Sequence, residues 1–365
     1  MADAQDVKTA LQAVTHPDYD RSIVDLGLVD DIVFEGKRAS LSITLNAPVD
    51  RVQRALMERV DVALGAAGLG DAVVRFKLEV PMRAQGADDP VPTVRNVIGV
   101  LSGKGGVGKS TCAVNLALAL RRAGATVGIL DADIYGPSIP TMLGVSGHPR
   151  AVDKRIEPLE RFGVKLMSIG FMLEDERDAV IWRGPMLQGA LMQFLTDVDW
   201  GTLDYLIIDL PPGTGDVALS LTQRLKMTGV VMVTTPQEVA LQDVYKAVSM
   251  CKKLNLRVLG VLENMSYFID PAGLKHELFG SGGGQKVAQF AEAPLLGQVP
   301  MTTEVRECGD SGTPVVQHAP DNAGARVFTE VAERLTTNIA VDAFKRGGGD
   351  RAPDTSGQRR LKILR

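Results

Sequence analysis

Along the first 80 residues the apolar positions change period several times. Val7, Leu11 and Val14 recur at helical spacing. Val29–Glu35 and Ala39–Leu45 are rich in β-formers and meet at Glu35-Gly36-Lys37, a short hairpin-like connection. Val49–Ala67 carries Val52, Leu56, Val60 and Leu64 on one stripe, which predicts an amphipathic helix, and Val73–Val80 alternates as a strand does. Residues 1–80 therefore predict a small α+β domain. From Pro81 to Thr93, Pro, Gly and Asp replace any periodicity, which predicts a linker over 81–93. Further on, continuous apolar runs alternate with helical patterns. Strands are expected at Val97–Leu101, Thr126–Asp131, Val164–Ile169, Tyr205–Asp209, Val230–Thr234, Val258–Leu262 and Leu295–Val299, and helices at stretches such as Lys109–Ala123 and Glu238–Leu254. Unbroken apolar strands separated by helices predict an α/β domain over 94–346, a mostly parallel sheet with helices on both faces. Residues 347–365 are polar and end in a basic stretch, which predicts a flexible tail.

Composition narrows the class. The chain of 365 residues is 45% hydrophobic and 23% charged, enough to bury a sizeable core and too apolar for wholesale disorder. A net charge of −4 gives no footprint for a polyanion partner, so no nucleic acid is expected. Cys112, Cys251 and Cys308 are too few and too scattered for a disulfide framework. The acidic N-terminus has no apolar export segment, and no apolar run approaches the ~20 residues of a spanning helix. A soluble cytoplasmic protein is the expectation.

The chemistry concentrates after the strand Val97–Leu101. Gly103-Lys-Gly-Gly-Val-Gly-Lys-Ser110 fits G-x-x-x-x-G-K-[ST] between a strand and a helix, the setting a phosphate-binding loop requires. Gly103, Gly105, Gly106 and Gly108, with Val107, let backbone N–H groups turn inward around a β-phosphate. Lys109 is placed to bridge β- and γ-phosphate oxygens, Ser110 to offer its hydroxyl to Mg²⁺, and Thr111 to reach the α-phosphate. ATP and Mg²⁺ are the implied ligands.

A second lysine, Lys104, follows the first glycine. This loop resembles the deviant P-loop of the ParA, MinD and nitrogenase-iron-protein class, in which that lysine reaches the partner's nucleotide across a homodimer. The resemblance implies more roles. Asp133, in Asp131-Ala-Asp133, stands where the class polarises the attacking water, and Asp131 where Mg²⁺ is supported. Asp209, ending Tyr205–Asp209, is the Walker-B-type acid that holds a metal-bound water, and the Gly213 N–H is a candidate γ-phosphate sensor. Asn264 matches the residue that binds adenine through its amide, with a turn-forming asparagine as the competing reading. Asp216 is a candidate cap for the next helix.

Longer stretches narrow the resemblance. Asp131-Ala-Asp-Ile-Tyr-Gly-Pro-Ser-Ile-Pro140, Ile181-Trp-Arg-Gly-Pro-Met-Leu-Gln-Gly-Ala-Leu-Met-Gln-Phe-Leu195 and the run from Asp199 to Asp216 resemble the Mrp/ApbC family of P-loop ATPases, the iron–sulfur cluster carriers. Ser22-Ile-Val-Asp-Leu-Gly-Leu28 resembles the iron–sulfur-assembly domain often fused ahead of that ATPase. The resemblance implies an ATP-hydrolysing homodimer that assembles clusters and passes them to client apoproteins or assembly factors. It also implies a C-x-x-C pair soon after Glu263-Asn-Met, and here the chain departs. Asp270 stands in place of the first cysteine, and no cysteine follows nearby. Clusters are ordinarily held by four thiolates. Cys112 and Cys251 lie on apolar helical stripes, which leaves Cys308, in a loop-like stretch, as the candidate ligand of a labile cluster. Asp270 and His276 are candidate oxygen and nitrogen ligands, with a solvated turn as the alternative. Two other functions stay open: an ATP-dependent adaptor that binds no cluster, and a MinD- or ParA-like positioning ATPase, for which only the basic end, Gln358–Arg365, argues. A membrane partner is not expected from so short a segment.

Overall fold

The computed structural model describes residues 3–35, 38–134, 136–153, 155–172, 184–346 and 360–362. The chain divides into two compact units, Met1–Pro81 with Thr336–Arg365, and Met82–Leu335.

In the smaller unit α1 (Ala4–Leu11) starts at Asp3, whose carboxylate accepts the N–H groups of Gln5 and Asp6 while Asp6 returns the bond, a capping box. Val14 is buried just beyond the helix end. β1 (Val29–Glu35) and β2 (Arg38–Leu45) are antiparallel, α2 (Asp50–Ala66) crosses over, and β3 (Ala72–Leu78) returns parallel to β2. The α2 stripe Val52, Leu56, Val60 and Leu64 is buried with Leu41, Ile43 and Phe76 from the sheet. Two expectations change here. Residues 336–346 of the C-terminal helix belong to this unit rather than to the larger one. Within the expected tail, Arg360–Lys362 pairs antiparallel with Phe76–Leu78 as a fourth strand.

The larger unit runs β4 (Val94–Ser102), α3 (Lys109–Arg122), β5 (Val127–Asp131), α4 (Ile139–Leu143), the short strands β6 (Arg150–Val152), β7 (Arg155–Glu157) and β8 (Leu159–Arg161), then β9 (Val164–Ser168) and α5 (Gly184–Thr196). It continues with β10 (Leu203–Asp209), α6 (Asp216–Arg224), β11 (Gly229–Thr234), α7 (Glu238–Lys253) and β12 (Val258–Glu263). A hairpin of β13 (Phe268–Ile269) and β14 (Lys275–His276) precedes α8 (Gly283–Ala291), β15 (Leu295–Gln298), α9 (Thr303–Asp310), α10 (Val315–His318) and α11 (Ala323–Arg346), of which the part up to Leu335 belongs to this unit. The main sheet has the order β15-β12-β11-β4-β10-β5-β9-β8, parallel except for β8 against β9. Its central strands are buried on both faces, every residue of β11 included, which is why they read as unbroken apolar runs. The parallel α/β architecture expected from the sequence is the one observed.

The stretch 81–93 is less of a linker than its composition predicts. Arg83 and Asp89 are buried together, the guanidinium donating to both carboxylate oxygens at 2.5 and 2.7 Å and to the carbonyls of Lys226 and Val91. From Met82 onward this segment belongs to the larger unit. Among the described residues no helix is long and apolar enough to cross a membrane.

Candidate functional site

The loop Gly103–Ser110 leaves the carboxyl end of β4, at the centre of the sheet, where parallel α/β folds open their ligand crevice. Gly106 and Gly108 adopt φ of +80° and +79°, conformations side chains resist. Gly108 also opens α3 without a side-chain cap, which leaves the first-turn N–H groups for an anion. Close packing fixes two glycines. A Cβ at Gly103 would stand 2.3 Å from the Val244 backbone N on α7, and one at Gly108 would stand 2.2 Å from Asn264 Nδ2.

Lys109 is buried at the floor of this loop. Its Nζ lies 2.6 Å from Asp209 Oδ1 and 3.1 Å from Asp133 Oδ2, and Ser110 Oγ donates to Asp209 Oδ2 at 2.5 Å. Burial pushes the Asp209 carboxyl up, against the pull of Lys109 and Ser110. Burial by itself would lower the Lys109 ammonium, but the two carboxylates outweigh it and hold the lysine charged. Among the described residues the buried Asp133 Oδ1 has no hydrogen-bond partner, an acceptor left open beside the lysine. Asp131, one strand over from Asp209, has no solvent exposure, and burial together with the Asp209 charge raises its pKa. The structure therefore brings together Lys109, Ser110, Asp131, Asp133 and Asp209.

Other expected site residues stand at the edges. Asn264 is buried beside the loop, its Nδ2 donating to the Val107 carbonyl at 2.8 Å. With Gly108 and Thr111 it lines a cavity of about 970 Å³ whose walls include Pro300–Thr302 and Pro140–Met142. The half-buried Lys104 forms no ion pair among the described residues. The Gly213 N–H, the expected γ-phosphate sensor, donates to the Ser102 carbonyl at 2.8 Å. Asp216 is the first residue of α6, and Gly215 occupies the cap position.

A family model described as a NUBPL iron-transfer P-loop NTPase matches residues 93–336, and one described as an iron-sulfur cluster assembly protein matches residues 4–78. The chain belongs to the NUBPL iron-transfer P-loop NTPase family. The iron-sulfur cluster carrier protein of Synechocystis is 43% identical over 347 residues, covering 93% of this chain and 98% of that one. A nucleotide-binding protein of Archaeoglobus fulgidus, solved with ADP, aligns at a TM-score of 0.54 and 41% identity over 60% of this chain and 87% of that one. The cell division ATPase MinD of Pyrococcus furiosus, 24% identical with a TM-score of 0.50 over 66% of this chain and 98% of its own, shares the fold.

Within this NUBPL-family chain, the segment expected to carry a cysteine pair forms the β13–β14 hairpin. One Asp270 oxygen accepts the N–H groups of Ala272 and Leu274 at 2.9 Å, and the other meets His276 Nε2 at 2.7 Å. These bonds, His276 foremost, hold the Asp270 carboxyl below its ordinary range. Asp270 and His276 thus staple a turn, and both carboxylate oxygens are engaged in it. Cys308 corrects a second expectation. It sits in α9, not in a loop, with 6% exposure, and burial pushes its thiol up, with Glu304 and Glu307 adding to the shift. Cys112 and Cys251 are buried, as their stripes predict, with thiols raised to about 11 at Cys251 and further at Cys112. None of the three is a ready thiolate. The Trp182-Arg183 segment lies outside the described residues.

Sequence reasoning missed two buried residues near the site. Ser168, at the end of β9, donates to Asp131. Glu263 accepts from Ser266 Oγ, from Gln298 Nε2 at 2.7 Å and from the Gly284 N–H at 2.5 Å, fixing the start of α8 behind Asn264. An acid closing an apolar strand was the available signal for Glu263. Ser168 gave none.

Proposed function

We propose that this chain binds ATP with Mg²⁺, hydrolyses it as a homodimer, and serves as a carrier or scaffold in iron–sulfur cluster assembly and transfer to apoproteins. The observation that carries the ATPase reading is the lysine held between two acids at the floor of the glycine loop. Names of full-length relatives supply the cargo: proteins 43% and 44% identical over more than nine-tenths of this chain are called iron-sulfur cluster carriers.

The chemistry follows from the same residues. Loop N–H groups and the start of α3 receive the phosphates, and Lys109 turns from the acids to the β/γ oxygens. Asp133, released from the lysine and with Oδ1 open, accepts a hydrogen bond from the attacking water and orients it. Lys104, free of any ion pair on its own subunit among the described residues, reaches the partner's phosphates and stabilises charge in the transition state. The Asn264 amide, oriented by its bond to Val107, faces the base. Mg²⁺ fits here, because the Ser110 hydroxyl and the Asp209 carboxylate are hard oxygen donors. No three His, Cys, Asp or Glu side chains among the described residues stand ready to grip a metal directly. Ser110 would hold the ion directly and Asp209 through water, and the ion would supply positive charge opposite the transferring phosphoryl group.

A second reading is an ATP-dependent adaptor that holds no cluster itself. The stapled Asp270–His276 hairpin and the three buried thiols favour it. One experiment tests both steps. ATP turnover is compared between the chain and Lys109→Ala, and iron and sulfide per dimer are counted after anaerobic reconstitution. Turnover lost in Lys109→Ala with iron retained by the wild type supports the carrier. Wild-type turnover in Lys109→Ala removes the site assignment, and an iron-free ATPase leaves the adaptor.

A further inference from the structure

Asp131 was expected to support Mg²⁺, yet its carboxyl is turned to the protein. Oδ1 accepts the Asp133 N–H at 3.2 Å. Oδ2 accepts the Ile139 N–H at 3.3 Å and the Ser168 hydroxyl at 3.0 Å. Ser168 is the direct cross-strand neighbour of Asp131 in the parallel β5–β9 ladder, and both are fully buried. The Ser168 Oγ has one proton, given to Asp131, and its lone pair accepts the Gly170 N–H at 3.0 Å. The chain that leaves β5 is thus pinned at two points, Asp133 and Ile139, by one carboxyl that a serine on the next strand holds in place.

From this geometry we infer that Asp131 and Ser168 are positioning residues for Asp133. They fix the backbone from which the Asp133 carboxylate reaches Lys109 at 3.1 Å and keeps its second oxygen open. The inference rests on the reading of Asp133 as the residue that orients water. It differs from the metal role in what it demands of Asp131. A positioning acid sets the rate of the chemical step and the rigidity of its loop, and leaves the demand for Mg²⁺ unchanged.

The test uses the full chain as wild type, Ser168→Ala, Asp131→Asn and Asp133→Asn. Four quantities are read: kcat, KM for ATP, the Mg²⁺ concentration at half-maximal rate, and amide hydrogen exchange of Asp133 and Ile139 in nucleotide-free protein. Ser168→Ala deletes one hydrogen bond to a carboxyl without changing the packing volume much. It is expected to lower kcat about tenfold, the scale of such a bond, with KM and the Mg²⁺ midpoint moving less than about twofold. Exchange at both amides should rise, because their shared acceptor is loosened. Asp131→Asn should do the same more severely. If it does not fold, Ser168→Ala still decides the matter. A raised Mg²⁺ midpoint with kcat recovered at saturating Mg²⁺ would make Asp131 a metal-supporting residue and overturn the inference. Unchanged exchange at both amides would overturn it too. Wild-type kcat in Asp133→Asn is a separate failure: it removes the water-orienting role of Asp133, while the exchange data still report whether the pinning exists.

Discussion

Lys109→Ala should destabilise the nucleotide-free protein, and the deficit should depend on pH in a definite sense. In the wild type one ammonium serves Asp209, which has no solvent exposure, and Asp133, at 8%, with the buried Asp131 behind them. Removing the lysine leaves these carboxyls buried without a cation. Breaking a buried pair in this way costs about 3–5 kcal/mol. At roughly 2–4 °C per kcal/mol for a domain of this size, that is a drop of roughly 6–20 °C in Tm near pH 8. The variant limits the loss by keeping a carboxyl protonated. The Asp209 pKa is already raised by burial, and without Lys109 it rises further. An acid whose pKa is raised on folding binds its proton more tightly in the folded state, so that stability is fully present below the unfolded pKa. It is lost as pH rises through the folded value, at about 1.4 kcal/mol per pH unit for one proton. The deficit should therefore shrink from pH 8 to pH 6. Thermal unfolding followed by circular dichroism measures it, and Lys109→Ala/Asp209→Asn should recover much of the loss because it removes one buried charge. A Tm at pH 8 within about 2 °C of wild type, or a deficit that does not change with pH, would refute the reasoning.

Lys104→Ala should keep much of its nucleotide affinity and lose most hydrolysis. Mixing it with Asp133→Ala should restore some turnover through heterodimers with one intact site, and a strictly monomeric, active enzyme in every nucleotide state would exclude this. Gly108→Ala should abolish ATP binding measured by titration calorimetry, since its Cβ would meet Asn264 Nδ2 at 2.2 Å on a backbone at φ +79°. Cys308→Ser should hold the same iron and sulfide as wild type after identical anaerobic reconstitution, because the thiol is buried and its pKa raised. A loss of iron in that variant would restore Cys308 as a ligand.

The long strands of both sheets and the phosphate loop were legible in the sequence because their signals are local, whereas the short strands β6 to β8, β13 and β14 were not. β4, β10 and β11 are apolar runs of strand length, and the glycine spacing before Lys109 has one common structural meaning. What escaped is set by partners distant along the chain. Ser168 meets Asp131 from 37 residues away, and only the ladder register makes them neighbours. Arg83 and Asp89 sit in a Pro- and Gly-rich stretch that reads as solvated, yet they are buried, with the guanidinium also bonded to the carbonyl of the distant Lys226. The α9 helix around Cys308 was readable, since Thr302 caps the Val305 N–H and Glu304 follows in the first turn, but the nearby glycines masked it. The Gly213 N–H bond to Ser102 has no sequence signature at all.

The most direct measurement is transfer itself. The chain is reconstituted anaerobically with iron and sulfide, freed of unbound iron, and added with ATP and Mg²⁺ to an apoenzyme that requires a four-iron cluster. Restored activity of that enzyme is then compared between wild type and Lys109→Ala. Activation by the wild type that is faster than from free iron and sulfide, and much reduced with Lys109→Ala, is the expected result. No iron retained under any nucleotide condition, with no activation of the apoenzyme, would contradict the carrier function.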